Sequence, residues 1–119
     1  MENQVIDTNK QPWIDLPNGM SKILVDKKIG KNSTLRLFKL KPSDIFETHE
    51  HNFIQFMYFI KGIGKISIDE QIYDIKSGLS VFILPFQCHS LENTGNTDLE
   101  LLIYEAYESI SDNTPFIDF

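Results

Sequence analysis

Residues 43–62 read Ser-Asp-Ile-Phe-Glu-Thr-His-Glu-His-Asn-Phe-Ile-Gln-Phe-Met-Tyr-Phe-Ile-Lys-Gly. Two of the three histidines of the chain, His49 and His51, stand here at i and i+2, and the third is His89. On an extended strand, positions i and i+2 project to the same side. Neutral imidazole is the commonest metal ligand near neutral pH. The pair therefore predicts two nitrogens aimed at one ion, with His89 arriving from a distant strand. Glu50, between them, is expected to face away. The run that follows, 53–60, is apolar on both faces apart from Gln55. Such a strand is expected to be buried on both sides. In a small barrel that outer side is covered by another subunit or by the tails, and a homodimer is the preferred reading.

Outward from this stretch the chain reads as short strands at 22–26, 34–41, 46–51, 55–60, 65–69, 71–76, 80–84, 88–91 and 99–107. Turn-forming residues separate them: Gly30-Lys31-Asn32-Ser33, Pro42-Ser43-Asp44, Gly62-Ile63-Gly64, Ser77-Gly78 and Asn93-Thr94-Gly95-Asn96. The fold class is all-β, an antiparallel sandwich or barrel. With 119 residues the chain is expected to form one domain. The expected organisation is an arm over 1–21, a barrel over 22–107 and a tail over 108–119. Trp13, Phe116 and Phe119 are candidates for docking on the barrel wall or on a partner.

A net charge of −6 disfavours nucleic acid and anionic membranes as partners. Neither a hydrophobic signal-peptide core nor an apolar run of membrane-spanning length is present. The single cysteine, Cys88, excludes an internal disulfide and points with the rest to the cytoplasm. As the neighbour of His89 it is expected on the opposite face, as a buried thiol.

The two histidine segments resemble the cupin superfamily. Its first motif is Gly, five residues, His-x-His, three or four residues, Glu, six residues, Gly. Here Ser43, His49-Glu50-His51, Gln55 and Gly62 stand at those spacings. Its second motif is Gly, five residues, Pro-x-Gly, two residues, His, three residues, Asn. Gly78, His89 and Asn93 match it, with Leu84 and Phe86 in place of the proline and second glycine. The chain looks most like the compact manganese-type cupins and the cupins acting on uronate sugars. The resemblance implies a cupin double-stranded β-helix, a jelly-roll-like barrel of RmlC-like type. It also implies a site for one divalent transition metal (Mn, Fe, Zn, Ni or Cu) on His49, His51 and His89, with Gln55 either a further ligand or a hydrogen-bond partner of a bound water.

Four residues of straight strand span about 13 Å. The chain must therefore fold back at 52–54 for Gln55 to stand beside the histidines. Glutamine in place of glutamate leaves the ligand set uncharged, which tilts the chemistry toward Lewis-acid work. Tyr58 and Tyr104 are candidate proton donors, with packing as their other reading. Arg36 is a candidate for a substrate carboxylate, with a surface or inter-subunit ion pair as its other reading. Met57 and Phe59 share the parity of Gln55 and are expected to line the pocket. The leading functional expectation is a metal-dependent isomerase or lyase acting on a sugar acid or keto acid. A metal-dependent dioxygenase, a small-molecule-binding or sensing protein and a metal-free structural barrel are the alternatives.

Overall fold

The structure is a computed structural model that describes residues 4–48 and 50–107, without the side chain of Thr48. His49 and the tail with Phe116 and Phe119 lie outside the described residues. Among the described residues a 3-10 turn (Thr8–Lys10) is followed by ten strands: β1 Ile14–Leu16, β2 Gly19–Val25, β3 Ser33–Leu40, β4 Ile45–Thr48 and β5 Ile54–Lys61, then β6 Ile63–Ile68, β7 Gln71–Lys76, β8 Ser80–Ile83, β9 His89–Asn93 and β10 Leu99–Ala106. They form a six-stranded sheet, β1-β2-β3-β10-β5-β8, and a four-stranded sheet, β4-β9-β6-β7. The described pairings are antiparallel, for example β10 with β3 and β5, and β9 with β4 and β6. The result is a two-sheet sandwich of jelly-roll type, as expected. Among the described residues no helix is long and apolar enough to cross a membrane.

Strand alternation builds the core. On β10, Leu99, Leu101 and Ile103 point inward and are buried. On β3, Phe38 and Leu40 do the same, as do Met57 and Phe59 on β5 and Ile66 and Leu91 on the facing sheet. Each such side chain contributes about 1.5–3 kcal/mol when fully buried. The turn from β5 to β6 depends on Gly62, at φ 92°, where an added Cβ would lie 2.6 Å from the Asp98 carbonyl oxygen. Asn93 closes the β9–β10 connection from inside, donating to the carbonyls of Leu40 and Thr97, each at 2.9 Å.

Three expectations are corrected, and one face is left uncovered within the chain. The strand expected over 46–51 ends at Thr48, where the β4–β9 register closes on His89. The arm expected over 1–21 contributes β1, which pairs with β2 through Ile14 and Ser21. The outer face of β5, expected to be covered by another subunit or by the tails, carries Tyr58 and Ile60 exposed within the single chain. Cys88 is exposed, because it alternates with the inward-facing His89 at the start of β9.

Candidate metal centre

Between the sheets lies a cavity of about 100 Å³ lined by Arg36, Phe38, Phe46, His51, Gln55, Met57, His89, Leu91, Ile103 and Glu105. Strands β3, β5 and β10 supply one wall, and β4 and β9 the other. His51 comes from the connection between β4 and β5, the fold-back that brings Gln55 to the head of β5. It is held there by its backbone, since the Phe86 N–H donates to the His51 carbonyl at 2.7 Å.

Both rings are oriented by carbonyls. The Nδ1 atom of His51 lies 3.1 Å from the Phe53 carbonyl, and that of His89 lies 3.0 Å from the Gln87 carbonyl. A carbonyl oxygen only accepts, so each neutral ring carries its proton on Nδ1 and its lone pair on Nε2. This second-partner arrangement is typical of metal-binding histidine. The ring of Phe53 stacks on His51 at 3.8 Å, and the His51 and His89 centroids are 4.9 Å apart at 76°. Burial holds the His89 pKa below the ordinary histidine value, and the nearby His51 lowers it further, against the raising effects of the Gln87 carbonyl and Glu105. His89 is therefore a neutral donor at physiological pH. Behind it, Leu84 N–H donates to Gln87 Oε1 at 2.9 Å, and Asp69 accepts from Cys88 N–H and Gln87 Nε2 at 3.1 and 3.2 Å.

Gln55 is buried, and its Nε2 donates to Glu105 Oε2 at 2.7 Å. Glu105 Oε1 accepts from Arg36 Nη2 at 2.9 Å and from the Tyr107 hydroxyl at 2.7 Å. The register explains the cluster: Glu105 is the cross-strand neighbour of both Gln55 and Thr34. Thr34 Oγ1 in turn contacts the Tyr107 hydroxyl at 3.2 Å. Burial raises the Tyr107 pKa and keeps the hydroxyl protonated as a donor. His51 Nε2 and Gln55 Oε1 are buried in the cavity wall with no hydrogen-bond partner.

Five of the residues singled out from the sequence thus converge on one cavity: Arg36, His51, Gln55, Met57 and His89. His49 lies outside the described residues. Phe59 belongs to the fully buried core, not to the cavity lining. Tyr58 and Tyr104 are misplaced as proton donors. Their parity on β5 and β10 is opposite to that of Gln55 and Glu105, so they point to the outer face of the six-stranded sheet. There they line a groove of about 470 Å³ with Leu35, Phe56, Phe82 and Leu102. Arg36 forms an ion pair with Glu105 of its own chain. Sequence reasoning missed Glu105, although a signal existed: it is an acidic residue in phase with Leu99, Leu101 and Ile103. Among the described residues no group of three or more His, Cys, Asp or Glu could hold an ion. The donors that converge are two imidazoles and an amide.

The cupin domain family matches residues 36–104, more than half of the chain. The chain is a cupin. It is similar to the oxalate-binding protein of Thermotoga maritima, 35% identical over 79 residues, 63% of this chain and 65% of that protein. It is also similar to mannose-1-phosphate guanylyltransferase RfbM of Salmonella typhimurium, 33% identical over 75 residues, 61% of this chain and 15% of that enzyme. This cupin spans 15% to 65% of the length of the curated relatives it matches. Among solved structures it resembles a Thermotoga maritima protein described as a predicted oxalate decarboxylase, with a TM-score of 0.83 at 24% identity, covering 88% of this chain and all of that one. An RmlC-like cupin from Shewanella frigidimarina superposes with a TM-score of 0.76 at 15% identity, covering 90% and 93% of the two chains. At these identities the structural likeness concerns the fold.

Proposed function

We propose that this cupin holds one divalent transition metal (Mn, Fe, Zn, Ni or Cu) and acts with it on a small oxygenated acid. The observation that carries the reading is the pair of buried acceptors, His51 Nε2 and Gln55 Oε1, without partners in the cavity that His89 also lines. A buried polar atom left unpaired costs about 1–3 kcal/mol, and an ion bound there would remove that cost. Imidazole-rich ligation suits the first-row metals, with His49 as the further ligand its motif implies. When bound, such an ion supplies Lewis-acid polarisation of a carbonyl or carboxylate and acidifies its own water.

The chain's own groups account for binding and orientation. The Nη2 atom of Arg36 is engaged by Glu105, but its Nε is buried without a partner. That N–H is the fit for one oxygen of a substrate carboxylate. Met57, Phe46, Leu91 and Ile103 keep the cavity apolar, which strengthens each polar contact inside it. A volume of about 100 Å³ is well below the roughly 300 Å³ at which pockets take drug-sized ligands. The size favours a keto acid or dicarboxylate over a sugar acid, in keeping with the oxalate named for one relative.

Binding without turnover is the second reading. It is favoured by the engagement of both Glu105 oxygens and by the outward placement of Tyr58 and Tyr104. No described carboxylate or phenol of the cavity is then left to move a proton. The homodimer proposal extends to the outer face, where Phe56, Tyr58, Phe82, Tyr104, Leu35 and Leu102 form a wide apolar groove. A contiguous apolar surface of this kind marks an interaction site in a soluble protein.

Elemental analysis of supplemented protein should find about one ion per chain and far less in His51→Ala. Equal, near-zero loading of both would remove the metal reading. The loaded protein would then be given a panel of keto acids and dicarboxylates in an oxygen electrode. Product without oxygen uptake supports Lewis-acid chemistry, and uptake supports the dioxygenase alternative. Saturable binding with no product leaves a binding protein.

A further inference from the structure

We propose that Glu105 is a positioning residue that turns the Gln55 amide so that its oxygen, and not its nitrogen, faces the metal cavity. The inference rests on the metal reading above. The two ends of a glutamine amide are nearly the same size and opposite in polarity. Turned one way, the group offers a lone pair to a cation; turned the other way, it offers two N–H donors and repels one. Nothing in Gln55 itself selects between them.

Glu105 selects. A carboxylate paired with a guanidinium only accepts, and Glu105 Oε2 meets Gln55 at 2.7 Å, so the amide nitrogen must be the atom that faces it. The carboxylate is itself held on its other oxygen by Arg36 and by Tyr107. It cannot swing away without breaking both of those bonds. Its negative charge polarises the amide through the shared hydrogen bond and makes Oε1 a better donor to a cation. The carboxylate absent from position 55 thus stands one residue further back, on β10, and acts through the amide.

The test uses the full chain and cobalt(II). Affinity is read by competition with a chromogenic chelator, and geometry by the visible absorption of the bound ion. Near-UV circular dichroism checks that each variant is folded. Glu105→Gln replaces the acceptor by an amide that satisfies either orientation of Gln55, and affinity should fall about 10-fold or more with a changed cobalt spectrum. Gln55→Glu combined with Glu105→Gln places a carboxylate at 55 that needs no orienting and accepts from the new amide, so affinity should return to at least the wild-type value. A merely structural Glu105, needed only by Arg36, predicts that Glu105→Gln keeps the wild-type cobalt spectrum, because Gln55 would still present its oxygen to the ion. Wild-type affinity in Glu105→Gln, or a double variant no better than Glu105→Gln, overturns the inference while leaving the metal site standing. Failure of the wild type to bind cobalt overturns the site and the inference together.

Discussion

The Phe86 N–H donates to the carbonyl oxygen of His51 at 2.7 Å, and Phe86 does so from a left-handed backbone conformation, φ 67°. One bond thereby joins the loop before β9 to the connection after β4, the two segments that carry the candidate ligands. Ser43, the other residue standing where the family motif has glycine, is also left-handed at φ 71°. The backbone has kept the shape that glycine would take most easily, while the side chain has changed.

Phe86→Gly should therefore stabilise the protein. A non-glycine residue in this region costs about 1–2 kcal/mol, and glycine gives back roughly 0.5–1 kcal/mol in lost chain freedom. Phe86 is 64% exposed, so little burial is lost. A rise in Tm of about 2–5 °C is expected by calorimetry, with no rise for Phe86→Ala, which keeps the strain. Equal effects of the two substitutions would show that the side chain, and not φ, sets the outcome.

Asp69 should matter to metal affinity from a distance. Its carboxylate accepts from Cys88 N–H and Gln87 Nε2, and Gln87 supplies the carbonyl that orients His89. Asp69→Ala is expected to weaken ion binding by up to about 10-fold, with Asp69→Asn intermediate, since asparagine tolerates the φ of 54° at this turn. Unchanged titration curves for both variants would show that the loop holds its shape alone.

The metal-free protein should lose stability in mild acid. The pKa of His89 is lowered in the folded state, chiefly by burial, so the unfolded chain binds that proton more readily. The contribution of His89 is then complete above the unfolded value of about 6.5 and is lost as pH falls through the folded value. Melting of chelator-treated protein from pH 8 to pH 5 should show a falling Tm, and His89→Gln a flatter profile. A wild-type profile as flat as that of the variant would contradict the sign.

The outer groove should govern assembly. Tyr58 and Phe82 are 49% and 51% exposed, so a Tyr58→Lys/Phe82→Lys double variant should cost little in folding. Sedimentation at tens of micromolar is expected to give a dimer for the wild type and a monomer for the variant. A monomeric wild type would sink the dimer proposal.

Much of this site was legible in the chain. Strand alternation and turn residues predict nine of the ten strands, and only short β1, inside the polar arm, escaped. Spacing alone foretold the fold-back before Gln55, because a straight strand could not return it to the histidines. The placement of His51 followed from different physics than its i, i+2 spacing suggested: it sits beyond the end of β4, held by Phe86 and Phe53. Tyr58 reads from the sequence as a candidate proton donor at the site, yet its parity on β5 is opposite to that of Gln55 and sets it on the outer face.

Local periodicity determined by itself that this is an all-β sandwich, and the paired motifs determined its family, since both depend on residues close in sequence. Only the tertiary structure decided what lies behind the site. Glu105 stands fifty residues from Gln55, and the pairing of β10 between β3 and β5 is what sets it against Gln55 and beside Arg36. Read from the chain, glutamine at 55 meant a centre without a carboxylate. In three dimensions a carboxylate is present one hydrogen bond back, balanced by a guanidinium, because sheet register and not sequence spacing chooses the neighbours of a side chain.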